Sequence, residues 1–384
     1  FKDAAQHFNL SLKANSNDPE ALIYLNNALA VDNSLLIAAV VPIGRNVNVA
    51  KETLRGIAQS QYEINQRGGI KGKRLQVLIV NDEDDPELAK ALAIKLAQNP
   101  RVLAVVGHES SQAAITAAHV YNRHGIVMVS PSAYAQELTN AGRFIFRTTP
   151  NSRVMADRLA QLANQKIPNA KVAICYDSTA PDSQSFRDDF VAAIYAAGGT
   201  MTQATCDFAS PNFNPYSIPS QAVRDGATTL LLAPALKNLN QAIAVMKANQ
   251  GRLAMMANQS MYTFDTLQKG RASGTDMTLA VPWDAAHSQS KTYSLDANKL
   301  WQSQGSWRTA MAYDATQVIG KGLSMGANRQ VLQQALANPG FKVEGVTGSV
   351  EFLPTGDRNG KSELVNILPG KRSGIGFDFV TFKP

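Results

Sequence analysis

No apolar stretch of this chain reaches the roughly 20 residues that a membrane-spanning helix requires, and no secretory leader is recognisable at its start. Cysteine occurs only at Cys175 and Cys206, which excludes a disulfide-built scaffold or a cysteine-based zinc site. The five histidines, His7, His108, His119, His124 and His287, are not at metal-ligand spacing. Nucleophile-elbow, phosphate-loop and dinucleotide-binding motifs are also missing, so the sequence offers little for catalysis. No run of Lys or Arg exceeds two, although the net charge is +7. That scatter describes a solvated basic surface and argues against a nucleic-acid partner.

What is present is an ordinary globular balance, 45% hydrophobic and 17% charged residues over 384 positions. Such a length accommodates two domains and a small additional piece. Residues 1–34 differ from the rest: Ala4, Phe8, Ser11 and Leu12 share a helical face, the cluster Asn15-Ser16-Asn17-Asp18-Pro19 interrupts it, and a second helix begins near Ala21. The order is similar to part of a tetratricopeptide repeat, with Tyr24-Leu25-Asn26-Asn27 at the repeat's aromatic cluster, and equally to a plain helical hairpin packed on the main body.

From residue 35 strand and helix signals alternate. The most informative stretch is 102–139, where the apolar run Val102-Leu103-Ala104-Val105-Val106 ends at Gly107 and a polar loop leads into a helix. A second apolar run at 126–129 then ends in Ser130-Pro131-Ser132. Short continuous apolar runs are what buried strands of a parallel sheet show. Ligands of such sheets settle beyond the carboxyl ends of the strands, so the two Ser-bearing loops form the candidate site. The acidic loop 82–85 suits a cation in composition. However, Asp85-Pro86 is a good helix cap followed by Pro at the first helical position, which explains it without an ion.

The stretch 107–139, the turn Gly68-Gly69-Ile70-Lys71-Gly72 and the following Asp85-Pro86 loop together resemble the type I periplasmic binding proteins, the Leu/Ile/Val-binding, extracellular ligand-binding receptor family of ABC importers. The resemblance extends over roughly 35–384. It implies an α/β, two-lobed fold of two doubly wound parallel sheets joined by a hinge, here with a helical N-terminal extension. The expected segments are 1–34 for the extension, 35–148 and 280–310 for the first lobe, and 149–279 and 311–384 for the second lobe with its returning segments. Within the last of these, 348–352 and 377–382 are expected to form a terminal hairpin. Cys175 and Cys206 fall on consecutive expected strands, 171–176 and 201–208, either as a bridge or as two buried thiols.

By the same resemblance, a ligand carboxylate is held in an interlobe cleft by Ser110 and Ser111 after Gly107-His108, with Glu109 beside them, and by Ser132, Ala133 and Tyr134 after the next strand. Hydroxyls and N–H groups at a helix N-terminus suit an anion, while the bland role for either Ser110 or Ser111 is to cap its own helix. Several positions depart from the family. Tyr134 stands where Thr is common, Asp182 before Ser183 where an aromatic is usual, Ala235 where a cation-stacking Tyr is usual, and Gln259 where an acid meets the ligand's ammonium. A buried ammonium needs a paired charge or an aromatic face. Of these positions only Asp182 offers a charge, so a more polar or uncharged ligand, an amide or a differently placed amino acid, stands as an equal alternative to Leu, Ile or Val. Asn46 in the first loop and Trp283 near the end of a later strand complete the candidate contacts, although core packing is the commoner role for a tryptophan such as Trp283 or Trp307.

The implied function is capture of a small amino-acid-like or amide solute on the periplasmic or extracellular face, with no cofactor, no metal and no catalysis. The implied partner is an ABC permease, and an upstream export or anchor segment is expected before Phe1. A second reading makes the same clamshell the sensing or interaction module of a membrane signalling partner; a third, an enzyme on a Rossmann-like scaffold, lacks a reactive constellation.

Overall fold

The computed structural model describes every residue except 31–32, 204–205, 289, 303–304 and 384. In chain order the elements are α1 (Lys2–Ala14), α2 (Pro19–Leu29), β1 (Ser34–Val41), α3 (Val47–Gln66), β2 (Arg74–Asn81), α4 (Pro86–Gln98), β3 (Val102–Val106), α5 (Ser111–His124), β4 (Val127–Ser130) and β5 (Ile145–Arg147). There follow α6 (Ser152–Lys166), β6 (Lys171–Tyr176), α7 (Pro181–Ala196), β7 (Thr200–Met201), β8 (Cys206–Asp207), α8 (Ile218–Arg224), β9 (Thr229–Ala233), α9 (Leu239–Asn249), β10 (Ala254–Ala257), α10 (Phe264–Gly270) and β11 (Thr278–Val281). The last third comprises α11 (Lys291–Trp301), α12 (Trp307–Leu323), α13 (Arg329–Leu336), β12 (Val343–Gly345), β13 (Gly348–Val350), β14 (Glu363–Pro369) and β15 (Phe377–Thr381).

The chain divides into two compact units, Phe1–Pro150 with Ala285–Gly360, and Asn151–Asp284 with Lys361–Pro384. This corrects the expected segments at two places. Residues 311–360 belong to the first unit, because α12 lies directly on α3: a Cβ built on Gly56 would meet the Thr309 carbonyl oxygen at 2.1 Å, a helix contact that only glycine permits. Residues 280–284 belong to the second unit through β11. The expected terminal hairpin is likewise two separate pairings, β12 with β13 and β14 with β15.

The first unit is built on a sheet of order β2-β1-β3-β4-β5, parallel throughout. Its central strands are buried on both faces, which is why β1, β3 and β4 read as unbroken apolar runs. The helices α1 and α2 are integrated in this unit, not a separate extension: Ala5, Leu22, Ile23, Leu25 and Ala28 share one core cluster with Leu35, Ile37 and Leu54. Asp18 caps α2 by accepting from the Ala21 N–H at 3.0 Å, with Pro19 at the first helical position. The pair also finishes the sheet. On the edge strand β2, the Asn27 amide donates to the Val77 carbonyl at 2.8 Å and accepts from the Val77 N–H at 2.9 Å. Asn65 does the same for Leu75, at 3.0 and 2.7 Å.

The second unit has a sheet of order β15-β14-β11-β10-β9-β6-β7, with β8 also paired to β6. Strands β6, β9, β10 and β11 are parallel, and the final hairpin adds antiparallel strands at the edge. The single strand expected at 201–208 is two short pieces, β7 and β8, each separately registered on β6. That register sets Cys175 opposite Cys206, and the two form a disulfide with Cα atoms 4.4 Å apart. The bridge closes a segment of 31 residues. Replacing both cysteines by alanine is therefore expected to destabilise this unit by about 4 kcal/mol through the freed unfolded chain. Urea denaturation of oxidised, reduced and doubly substituted protein checks this, and an unchanged midpoint would remove the bridge as a stabilising feature.

Candidate functional site

In the first unit the parallel strands β1 to β4 release their loops at one sheet edge: 42–46 after β1, 82–85 after β2, 107–110 after β3 and 131–135 after β4. Gly107 is required where it stands. Its φ is +136°, and a Cβ there would lie 2.5 Å from the Val40 carbonyl oxygen. The peptide bond from Gly107 to His108 is cis. His108 is fully buried, its Nδ1 2.7 Å from Asp82 Oδ2 and its Nε2 3.2 Å from the Tyr121 hydroxyl. Burial pushes the Tyr121 phenol above its ordinary range, with the Asp82 charge acting in the same sense. The histidine thus anchors the third loop to the second and to α5.

The third and fourth loops are stitched together by serine. Ser111 Oγ accepts from the backbone N–H groups of Tyr134 at 3.1 Å and Ala135 at 3.2 Å. Ser132 Oγ donates to the Glu109 carbonyl at 2.8 Å, and Ser130 Oγ donates to the His108 carbonyl at 2.9 Å while accepting from the Ala133 N–H at 3.1 Å. Ser110 occupies the cap of α5, accepting from the Ala113 N–H at 3.3 Å. The two loops named by the sequence are therefore adjacent, and of the paired serines Ser110 is the cap. Ser111 and Ser132 direct their hydroxyls into the loop scaffold. Asn46 has a similar local bond, capping α3 by accepting from the Val49 N–H at 3.3 Å.

Glu109 is buried and acts through its neighbours. Its Oε1 accepts from Arg308 Nε at 2.9 Å and its Oε2 from the Thr53 hydroxyl at 2.9 Å. The Arg308 guanidinium also approaches Glu52 at 3.7 Å and stacks on the Trp307 ring 4.3 Å from its centroid. Burial raises the Glu52 carboxyl above its usual range, against the opposing pull of Arg308 and the Ser306 hydroxyl. Trp307 is a core residue of α12, 1% exposed. Neither Arg308 nor Glu52 stood out in the sequence, because no local pattern links positions so distant in the chain.

The second loop also carries a perturbed carboxyl. The Asp84 carboxyl is pushed up to about 6, by burial first and then by the Asp82 and Glu109 charges, against a Ser110 hydrogen bond and Arg45. A carboxyl whose folded value lies above its unfolded value binds protons more tightly when folded. Its favourable contribution is therefore present in acid and is lost as pH rises from about 4 to about 6. Asp84 also has φ +54°, a conformation that Asn accepts readily. We expect Asp84→Asn to leave stability nearly unchanged at about pH 4 and to raise it by about 1–2 kcal/mol at about pH 7.5. Urea midpoints of both proteins at the two pH values measure the gap, and a gap that fails to widen with pH would refute the assignment.

In the second unit the parallel strands β6, β9, β10 and β11 release their loops at 177–180, 234–238, 258–262 and 282–284. Asp177 is fully buried, its Oδ1 accepting from the Thr179 N–H at 2.7 Å and hydroxyl at 2.6 Å, its Oδ2 3.0 Å from Lys237 Nζ. Ser183 Oγ accepts from the Asp177 N–H at 2.7 Å and donates to the Ala233 carbonyl at 2.6 Å, joining the β6 and β9 exits. Asn258 joins β10 to β9, its Nδ2 donating to the Pro234 carbonyl at 3.1 Å and its Oδ1 accepting from the Ser260 N–H at 3.2 Å. Asp182 lies in the first turn of α7. Asp182, Ala235 and Trp283 are all buried. Gln259 opens a 3₁₀ turn directly after β10 and is 1% exposed. Asp177 and Lys237 escaped the sequence reading; the signal available was a lone acid at a strand end. Among the described residues no group of three or more His, Cys, Asp or Glu is placed to hold a metal ion, and no helix is long and apolar enough to cross a membrane.

Each of the two α/β units gathers polar loops at the carboxyl edge of its parallel strands, the place where ligands of such sheets settle. Residues 44–364 match the periplasmic binding protein family, and the chain belongs to it. The Leu/Ile/Val-binding protein of Escherichia coli strain K12 is 33% identical over 158 residues, 41% of this chain and 42% of that protein. The chain thus aligns with less than half the length of such curated relatives. The branched-chain amino acid transporter substrate-binding protein LivJ of Streptococcus pneumoniae, solved with isoleucine, superposes with a TM-score of 0.78 at 17% identity, covering 91% of this chain and all of that one. A solute-binding protein of an ABC transporter from Rhodopseudomonas palustris, solved with p-hydroxybenzoic acid, gives 0.77 at 17% identity, covering 91% and 96%. These two likenesses establish the type I periplasmic-binding-protein fold. The family is that of the periplasmic binding proteins, extracytoplasmic by name, and the relatives named here are solute-binding proteins.

Proposed function

We propose that this chain captures a small amino-acid-like or amide solute outside the cytoplasm and delivers it to an ABC importer, its contacts drawn from the carboxyl-edge loops of each unit. The observation that carries the reading is the serine stitch in the first unit. Ser111 Oγ accepts from the Tyr134 and Ala135 N–H groups, which seats the fourth loop rigidly against the α5 N-terminus, where the helix dipole favours a carboxylate. In this reading Ser110, Ser132, Ala133 and Tyr134 frame the anion, Asn46 and Glu109 shape the loops around it, and Asp182, Ala235, Gln259 and Trp283 line the second unit's share. The named ligands of the solved relatives, isoleucine and p-hydroxybenzoic acid, are both small carboxylic acids and support it.

Thermal denaturation against amino acids, their amides and small aromatic or aliphatic carboxylates tests the proposal. A ligand at about 100 times its dissociation constant adds roughly 2.7 kcal/mol, a shift readily measured. No shift with any carboxylate would overturn it. A sensing module for a membrane signalling partner is the second reading, supported by the α1–α2 pair, which lies outside the residues that match the family. Substituting exposed residues of the pair, Leu10 and Lys13, would abolish partner recruitment in that case and leave solute affinity unchanged.

A further inference from the structure

Gln259 is distinctive among the described residues: both the Nε2 and the Oε1 of its side chain are buried and make no hydrogen bond. Buried polar groups are nearly always paired, and a group that is not calls for an explanation. Several other polar groups of the same loops are paired. Asn258 spends its amide on Pro234 and Ser260, Ser183 bridges Asp177 and Ala233, and Asp177 is matched by Thr179 and Lys237. Asn238 Oδ1 in the β9 exit loop is unpaired as well, but among the described residues only Gln259 has both amide atoms unmatched, at the sheet edge where a solute is expected.

We propose that Gln259 selects the solute, and that it selects a neutral group bearing both a donor and an acceptor, a carboxamide or a hydroxyl, over an ammonium. The inference rests on the solute-binding reading and narrows its substrate class. A carboxamide offers an acceptor and donors side by side, so its complement presents a donor and an acceptor together. An ammonium presents donors only, leaving the Nε2 donors facing a cation and the charge without a counterion. The acids at the same edge do not supply one: Asp177 is already paired with Lys237, and Asp182 has an interaction of its own. The solute is accordingly a small carboxylic acid whose second polar group is uncharged.

Calorimetric titration of the full chain with matched acids tests this: lactate against alanine, α-hydroxyisocaproate against leucine, and γ-hydroxybutyrate and succinamate against γ-aminobutyrate. The neutral member of at least one set is expected to bind about tenfold or more tightly than its ammonium counterpart, a ratio worth about 1.4 kcal/mol. Gln259→Glu is expected to reverse that ratio. Gln259→Met, similar in size and without hydrogen-bonding atoms, is expected to erase it while leaving the ligand-free melting temperature unchanged or higher, since an unpaired amide has been removed. Preference for the ammonium members, or a clear loss of ligand-free stability in Gln259→Met, would overturn the proposal and leave solute binding standing. Failure of every acid to bind would remove the solute-binding reading and this inference with it.

Discussion

Arg308→Met is expected to cost about 3–5 kcal/mol of folding stability, because it strands a buried carboxylate. Arg308 and Glu109 are each 2% exposed at the side chain, and their 2.9 Å contact compensates two desolvated charges. Without the guanidinium, Glu109 retains only the Thr53 hydroxyl among its side-chain partners described above. Glu52 would also lose the influence that most opposes its burial. The remedy follows from the same reasoning: adding Glu109→Gln to Arg308→Met removes the unpaired charge and should restore a large part of the loss. A double-mutant cycle by urea denaturation reads both effects, with a coupling energy of about 2 kcal/mol or more expected for residues in one network. A single-mutant loss below about 1 kcal/mol would place the pair with surface ion pairs, in conflict with its burial.

Arg147→Met is expected to be of similar size, about 3–5 kcal/mol, and to reach the candidate site as well. Arg147 Nε donates to Asp357 Oδ1 at 2.7 Å, one terminal nitrogen donates to the Ala135 carbonyl at 2.7 Å, and the other donates to the Thr139 hydroxyl at 2.8 Å. Thr139 in turn donates to Asp357 Oδ2 at 2.9 Å. One planar fork thus holds the end of β5, the segment after β4 and the returning chain at 357. The segment it holds carries the Tyr134 and Ala135 N–H groups seated on Ser111, so its loosening should weaken any carboxylate ligand along with the fold. Arg147→Lys keeps the charge and loses the fork. It should cost less stability, about 1–2 kcal/mol, because a buried charge remains to face Asp357. Equal effects of Lys and Met at this position would show that the fork geometry is irrelevant.

What the sequence made legible was local. Short apolar runs closed by Gly107 and by Ser130-Pro131-Ser132 place strands and their exit loops, and Asp85-Pro86 announces a helix, because each signal lies within a few residues of the structure it specifies. The meeting of Ser111 with the Tyr134 loop was also foreseeable, since adjacent parallel strands bring consecutive exit loops side by side. Long-range partners were not. Glu109 and Arg308 are 199 residues apart, and Arg147 and Asp357 are 210 apart; nothing in either neighbourhood names the other. The unit to which 311–360 belongs depends on Gly56 admitting a helix backbone at close range, a fact about shape that no periodicity records. The bridge between Cys175 and Cys206 depended on the register of β8 against β6, and the break between β7 and β8 is invisible in the apolar pattern. The Gln259 vacancy of partners is a property of the folded surroundings alone.

The amides of Asn27 and Asn65 on β2 have a consequence for the protein's behaviour in concentrated solution. A strand at the border of a sheet is an open template for a neighbouring molecule, and here side chains occupy two of its residues where an intruder's backbone would bind. Proteolytic loss of the first thirty or so residues would uncover Val77 while leaving Leu75 guarded. Shortened molecules should consequently be prone to join edge to edge, so that the leading helical pair contributes to colloidal safety independently of any solute.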